Sequence, residues 1–121
     1  MRTFAQLMAA ARGGFGVVFS LFPRQIAEAW IGPRGAERPA QLLARSVAAR
    51  DVVLGAGALL AVRNGGGSDW FAANALCDAA DLAATLALRD ALPESSAKAT
   101  VAVAGGSMVA CAALAVALAR D

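Results

Sequence analysis

Residues 99–119, ATVAVAGGSMVACAALAVALA, form the longest uncharged run of the chain. A helix that crosses a bilayer needs about 20 consecutive, mostly apolar residues, and this run has that length. Composition agrees, because 59% of the 121 residues are hydrophobic and only 17% are charged. Typical soluble domains are about 45–50% apolar and about 25% charged. The run therefore predicts a membrane-spanning helix over residues 96–119.

Before this run, proline and glycine residues typical of turns divide the chain into three more long helices and a short one. Pro23 ends the first helix, because proline lacks the amide hydrogen that a helix interior needs, and Pro93 ends the third. A glycine run at residues 65–67 separates the second from the third. Trp30 is a suitable anchor at the boundary between lipid and water, which indicates a short interfacial helix. The predicted long helices cover residues 3–22, 39–62, 70–92 and 96–119, and the interfacial helix covers residues 23–31.

These elements predict an all-α protein with a single domain over residues 1–121. The expected architecture is an up-down bundle of four transmembrane helices, in a multi-pass protein of the cell membrane surrounded by the lipid bilayer. A soluble, alanine-rich four-helix bundle is the alternative. Soluble bundle helices carry a charged outer face, and none of these helices shows one. The membrane bundle is therefore the favoured interpretation.

Ionisable residues lie inside three of the four predicted spans. A charge at a helix centre costs about 2.5–3.5 kcal/mol on insertion scales, so such groups usually face a bundle interior and pair, or line a functional path. On the third helix, at about 100° per residue, the polar side chains fall on one narrow stripe. The stripe consists of Asn74, Asp78, Asp81 and Thr85.

The second helix supplies the predicted partners of this stripe. With a hairpin midpoint in the glycine run, Arg50 and Asp51 lie at the depth of Asp81, so Arg50 is the expected partner of Asp81 and also of Asp78. Arg12, midway along the first helix, completes the group, and Arg45 lies nearer the membrane edge. The three arginines and three aspartates of this set are formally neutral. The predicted buried polar or ligand-binding residues are Arg12, Arg45, Arg50, Asp51, Asn74, Asp78, Asp81 and Thr85.

The fourth helix carries a stripe of small side chains. Close helix packing is one interpretation of this stripe, and the lining of a small cavity is the other. The stripe consists of Thr100, Ala104, Ser107, Cys111 and Ala115.

Other kinds of chemistry find few candidate residues. The chain has no histidine, and its two cysteines form no CxxC pair, so no metal site is predicted. No serine, cysteine or threonine has a histidine base, so no catalytic residue is predicted. The net charge of +2, without a basic run, argues against a nucleic-acid partner.

The chain carries a series of motifs in the order Phe22-Pro23, Ala29-Trp30-Ile31-Gly32-Pro33, Arg45, Ala49-Arg50-Asp51-Val52-Val53-Leu54-Gly55 and Asp78-Ala79-Ala80-Asp81. This order of motifs resembles small bacterial four-helix membrane proteins of unknown function, akin to the DoxX-like proteins. This resemblance covers nearly the whole chain and implies its fold and membrane location. It implies no catalytic residue. Some relatives are linked to quinone-coupled redox enzymes, but no quinone or redox motif stands out here, so no cofactor is predicted.

Three functions are compatible with these observations. The first is a structural or accessory membrane subunit with an architectural charged core, working with a membrane protein partner or as a homo-oligomer. The second is a small transporter or binding protein for a lipid-like or charged small molecule. The third, a membrane enzyme acting on a lipid-soluble substrate, ranks last, because one aspartate without shaped donors is not a mechanism.

Overall fold

A computed structural model describes residues 1–121 as helices joined by short turns, without a strand. The predicted all-α class is confirmed. Two 3-10 turns, Pro33–Ala36 and Arg89–Ala91, lie in the connections. The helices are α1 (Arg2–Leu21), α2 (Pro23–Ile31), α3 (Arg38–Arg63), α4 (Ser68–Ala87) and α5 (Glu94–Leu118).

Helix α4 ends earlier than the sequence predicts. The expected helix over residues 70–92 stops at Ala87, and a 3-10 turn follows before Pro93. A residue that precedes proline is pushed out of the helical region, and Leu92 is accordingly extended, with φ −110° and ψ 151°. Proline therefore acts on the backbone before it as well as at its own position. Every other helix boundary differs from the predicted one by no more than two residues.

Helices α1 and α3 form a close pair because glycine and alanine line their contact. A Cβ atom at Gly16 of α1 would lie 2.7 Å from the backbone nitrogen of Val52 and 2.8 Å from the carbonyl oxygen of Ala48. Likewise, a Cβ atom at Gly55 of α3 would lie 2.7 Å from the carbonyl oxygen of Ala9. Small residues allow helix backbones to approach in this way, so a side chain at either glycine would push the two helices apart.

Helices α4 and α5 form the second close pair. The Ser68 hydroxyl, in the first turn of α4, donates a 2.9 Å hydrogen bond to the carbonyl oxygen of Ala115 near the end of α5. Phe71 packs in the same buried cluster as Leu114 and Ala115. The two helices are antiparallel and their backbones approach closely along most of their length.

The two pairs approach each other less closely and meet mainly at their ends. At one end a buried cluster joins Ala5 of α1 and Val62 of α3 to Phe71 of α4. At the other end α2 packs against α3 and α5, where the Ser96 hydroxyl donates a 2.9 Å hydrogen bond to the carbonyl oxygen of Ala29. A space is left between the pairs at mid-height.

The outer surface of the bundle is apolar. Two helices, α1 and α5, are long and apolar enough to cross a membrane, whereas the sequence predicts four spans. Only 22% and 17% of their apolar windows are buried within the protein, so most of these side chains face outward. Large side chains on other helices do the same, and Leu76 of α4 is 72% exposed. Soluble monomers seldom expose apolar patches larger than a few hundred Å².

Candidate functional site

A cavity of about 600 Å³ occupies the space between the two helix pairs. All five helices contribute to its wall, which is mostly apolar. Ile26 and Trp30 of α2 line one end, and Phe71 of α4 lies towards the other. Cavities that hold small molecules in proteins measure about 300–1,000 Å³ and have mainly apolar walls with a few polar groups. Size and lining thus match a small-molecule site.

The cavity reaches the outer surface of the bundle between α1 and α5. The backbones of these two helices hardly approach each other, in contrast to the close α1–α3 and α4–α5 contacts. Phe15 of α1 and Val103 of α5 both line the cavity, yet they are 48% and 72% exposed. The cavity therefore opens sideways, through the long apolar face of the bundle.

Arg12 ties α1 to the three other long helices at the centre of this wall. Its Nη2 atom donates to both carboxylate oxygens of Asp78 on α4 and, at 3.3 Å, to the hydroxyl of Ser107 on α5. Its Nη1 atom donates to Oδ1 of Asp51 on α3 at 3.3 Å. Arg12 lies at the middle of α1, so its ion pairs are far from both ends of the bundle.

Arg50 makes the second connection, from α3 to α4. Its Nη1 and Nη2 atoms donate to the two oxygens of Asp81 at 3.0 and 2.7 Å, a bidentate arrangement that strengthens and orients the pair. Its Nε and Nη2 atoms also donate to Oδ1 of Asp51, at 3.2 and 3.1 Å. Asp51 therefore connects the two arginines, and five side chains form one network.

The structure places the predicted polar residues in three different settings. Asn74 lines the cavity together with the ion-pair network. Thr85 is buried but lies away from the cavity, and its hydroxyl donates to the Asp81 carbonyl oxygen at 2.8 Å. Arg45 is exposed and has no ion pair. The ion-pair network consists of Arg12, Arg50, Asp51, Asp78 and Asp81.

Two expectations about charge pairing are corrected by these contacts. Asp78 pairs with Arg12 and not with Arg50, because Arg50 is occupied by Asp81 and Asp51. The expected neutral set is also wrong, since Arg45 points outward and leaves two guanidinium groups with three carboxylates. Fully ionised, the network carries one net negative charge.

Two oxygen atoms in the cavity wall have no hydrogen-bond donor. Asp51 accepts its three hydrogen bonds at Oδ1 and none at Oδ2. The Asn74 Nδ2 group donates to the Trp70 carbonyl oxygen at 2.6 Å, and its Oδ1 accepts none. Asp51 and Asn74 are only 5% and 2% exposed, but no fully buried side-chain oxygen lacks a partner. Both free oxygens therefore reach the surface of the cavity that these residues line.

The small-residue stripe of α5 can be recognised in the sequence, whereas the aromatic lining of the cavity cannot. Thr100, Ala104, Ser107 and Cys111 line the cavity, and Ala115 lies in a buried cluster instead. The sequence offers no signal for the cavity positions of Phe15 and Phe71, because an aromatic residue on an apolar helix reads the same whether it faces lipid, core or cavity.

Comparison with known proteins adds no relative to this description. The chain matches no protein-family model, no curated protein and no solved structure.

Proposed function

We propose that this chain is a multi-pass protein of the cell membrane, with four spans, that binds a lipid-soluble small molecule in the cavity between its helix pairs. The cavity beside the ion-pair network carries the proposal. A molecule dissolved in the lipid could enter between α1 and α5, place its apolar part against the wall and its polar part against the charged groups. Transport of such a molecule would use the same site.

The membrane location is supported by the distribution of charges and apolar side chains. Within the central part of the bundle, the charges of α3 and α4 face each other across their interface, so lipid would meet mostly apolar surface there. Arg45 is two turns from the start of α3, and its long side chain can reach the headgroup region. The resemblance to DoxX-like proteins implies the same location and stays a prediction.

Native mass spectrometry of the detergent-purified protein tests the proposed binding. We expect the wild-type chain to carry a bound molecule of constant mass, because an apolar cavity of this size retains a lipid-soluble ligand through purification. Ala104→Phe fills the cavity and should abolish the adduct. Ala102→Phe, on the exposed face of the same helix, is the matched control and should retain it. A wild-type protein without any adduct, indistinguishable from Ala104→Phe, would contradict the proposal.

A structural or accessory subunit is the second candidate. It is favoured by the ion-pair network, in which each aspartate contacts an arginine and no fully buried polar side-chain atom lacks a hydrogen bond. A membrane protein partner or a second copy of the chain would then cover part of the apolar surface. A membrane enzyme has the least support, because each of the three aspartates is held by an arginine.

A further inference from the structure

We propose that the cavity takes a molecule with an apolar body and a single positively charged, hydrogen-bond-donating head, such as a lipophilic amine. This inference rests on the proposed binding function and names the chemical class of its ligand. Three independent features of the cavity wall support it: the net charge of the network, the two free oxygens and the aromatic lining.

The net charge of the ion-pair network favours a cation. Two arginines face three aspartates, which leaves one carboxylate charge without a full counter-ion. Away from water an uncompensated charge is costly, because attraction to an opposite charge is screened only weakly there and solvation is lost. A monovalent cation in the cavity would supply the missing charge.

The free oxygens show where the head of such a molecule would bind. Asp51 engages both arginines through Oδ1, and its Oδ2 atom remains open to the cavity. Asn74 presents a second free acceptor from the facing helix α4. An alkylammonium group has three N–H donors and no acceptor, so its hydrogen-bonding chemistry matches free acceptors of this kind. Its bond to the carboxylate would be charge-assisted and therefore strong.

An anionic head finds no comparable partner. All three nitrogens of Arg50 already donate to Asp51 or Asp81, and both terminal nitrogens of Arg12 donate to aspartates. An anion would have to displace these carboxylates and would add to a charge that is already negative. Both arginines are therefore already engaged by carboxylates.

Aromatic rings line the cavity on three helices. Phe15 of α1, Trp30 of α2 and Phe71 of α4 contribute to the wall. The face of an aromatic ring attracts cations and, at the same time, packs against apolar groups. A ligand with a charged head and an apolar body can use both properties, whereas a neutral polar head gains nothing from the first.

Three naphthalene probes of similar size test this inference. They are 2-naphthylmethylamine, 2-naphthylmethanol and 2-naphthoic acid, titrated by fluorescence into the full chain in nanodiscs of zwitterionic lipid, with empty nanodiscs subtracted. At neutral pH we expect the amine to bind at least about tenfold more tightly than the alcohol, which corresponds to about 1.4 kcal/mol. The carboxylate should bind most weakly of the three.

Two cavity variants and one control locate the effect. Asp51→Asn removes the extra negative charge, so the ratio of amine to alcohol affinity should fall to near one. Asn74→Leu removes only the second acceptor and should lower the ratio partially. Thr85→Val, on the same helix as Asn74 but outside the cavity, should leave the ratio unchanged. If Asp51→Asn does not fold, as judged by its thermal melt, the Asn74→Leu ratio decides.

The outcomes separate the two proposals. If the alcohol or the carboxylate binds as tightly as the amine, or if neither Asp51→Asn nor Asn74→Leu lowers the ratio, this cavity does not select cations and the inference is overturned. If none of the three probes binds the wild-type protein above empty nanodiscs, the proposed binding function fails together with it.

Discussion

The contacts within the helix pairs and the contacts between them are made of different chemistry. Within α1–α3, glycine and alanine bring the two backbones together, and a Cβ atom at Gly16 or Gly55 would collide with the facing helix. Between the pairs, long charged side chains reach across a gap, and a cavity of about 600 Å³ remains beside them. Small side chains thus allow close packing within a helix pair, whereas ion pairs connect the two pairs across a gap.

This difference explains how an alanine-rich bundle can contain a cavity while its two helix pairs keep a fixed relative position. Buried ion pairs contribute little net stability compared with apolar packing, but they can specify which groups meet. Here Arg12 contacts α3, α4 and α5 at once, so it sets the position of one helix pair relative to the other. The close apolar contacts within each pair stabilise the two pairs that Arg12 connects.

The largest expected effect comes from removing the central arginine of the network. Arg12→Met leaves Asp78 without its donor, and breaking a buried pair at one partner costs about 3–5 kcal/mol. Unfolding in mixed detergent micelles measures the loss. Adding Asp78→Leu should restore more than half of it, because the unpaired carboxylate is then gone.

Arg45→Met is the matched control for this change. Arg45 has the same charge but is exposed and has no ion pair, so its replacement should alter stability by no more than about 0.5 kcal/mol. Equal stability of the Arg12→Met and Arg45→Met proteins would mean that the ion pairs do not connect the helix pairs.

An intermediate effect is expected inside the α1–α3 pair. In Gly16→Ala the new methyl group would meet backbone atoms at 2.7 and 2.8 Å, and such overpacking costs about 1–3 kcal/mol. Gly14→Ala makes the same substitution two residues earlier, where nothing lies within 4 Å. That change should be neutral or stabilising by up to about 1 kcal/mol, because alanine is the better helix former. Matching melting temperatures for the two variants would argue that α1 and α3 are not in close contact.

Several features of this comparison can be predicted from the sequence because they depend on local pattern. The all-α class follows from the apolar runs and from the proline and glycine positions that divide them. The meeting of Arg50 with Asp81 follows from their nearly equal distances from the glycine turn at residues 65–67, which place them at about one depth in a helical hairpin. The stripe of Asn74, Asp78, Asp81 and Thr85 follows from the helical repeat, although only part of it lines the cavity.

Other features depend on how the helices are arranged relative to one another, and the local sequence pattern does not predict that arrangement. Arg12 and Arg50 are both near mid-helix, so depth alone cannot assign Asp78 to one of them. Arg45 lies five residues, about 1.4 helical turns, before Arg50, and its side chain is exposed. The face of α3 that meets α1 is the one that carries Gly55. The cavity itself is a property of the spacing between pairs, and no residue type encodes it.

The account rests on helix pairs that are tightly packed internally and separated by a cavity, and a pair of alanine substitutions distinguishes these two regions. The measurement compares the detergent melting curves of Ala48→Leu and Ala104→Leu, which add the same bulk at two buried alanines with 0% and 8% exposure. Ala48 packs in the contact of α1 with α3, whereas Ala104 lines the cavity. We predict that Ala48→Leu destabilises the protein by about 1–3 kcal/mol, while Ala104→Leu leaves the melting curve unchanged because the cavity accommodates the larger side chain. A loss of stability in Ala104→Leu equal to that in Ala48→Leu would contradict the account.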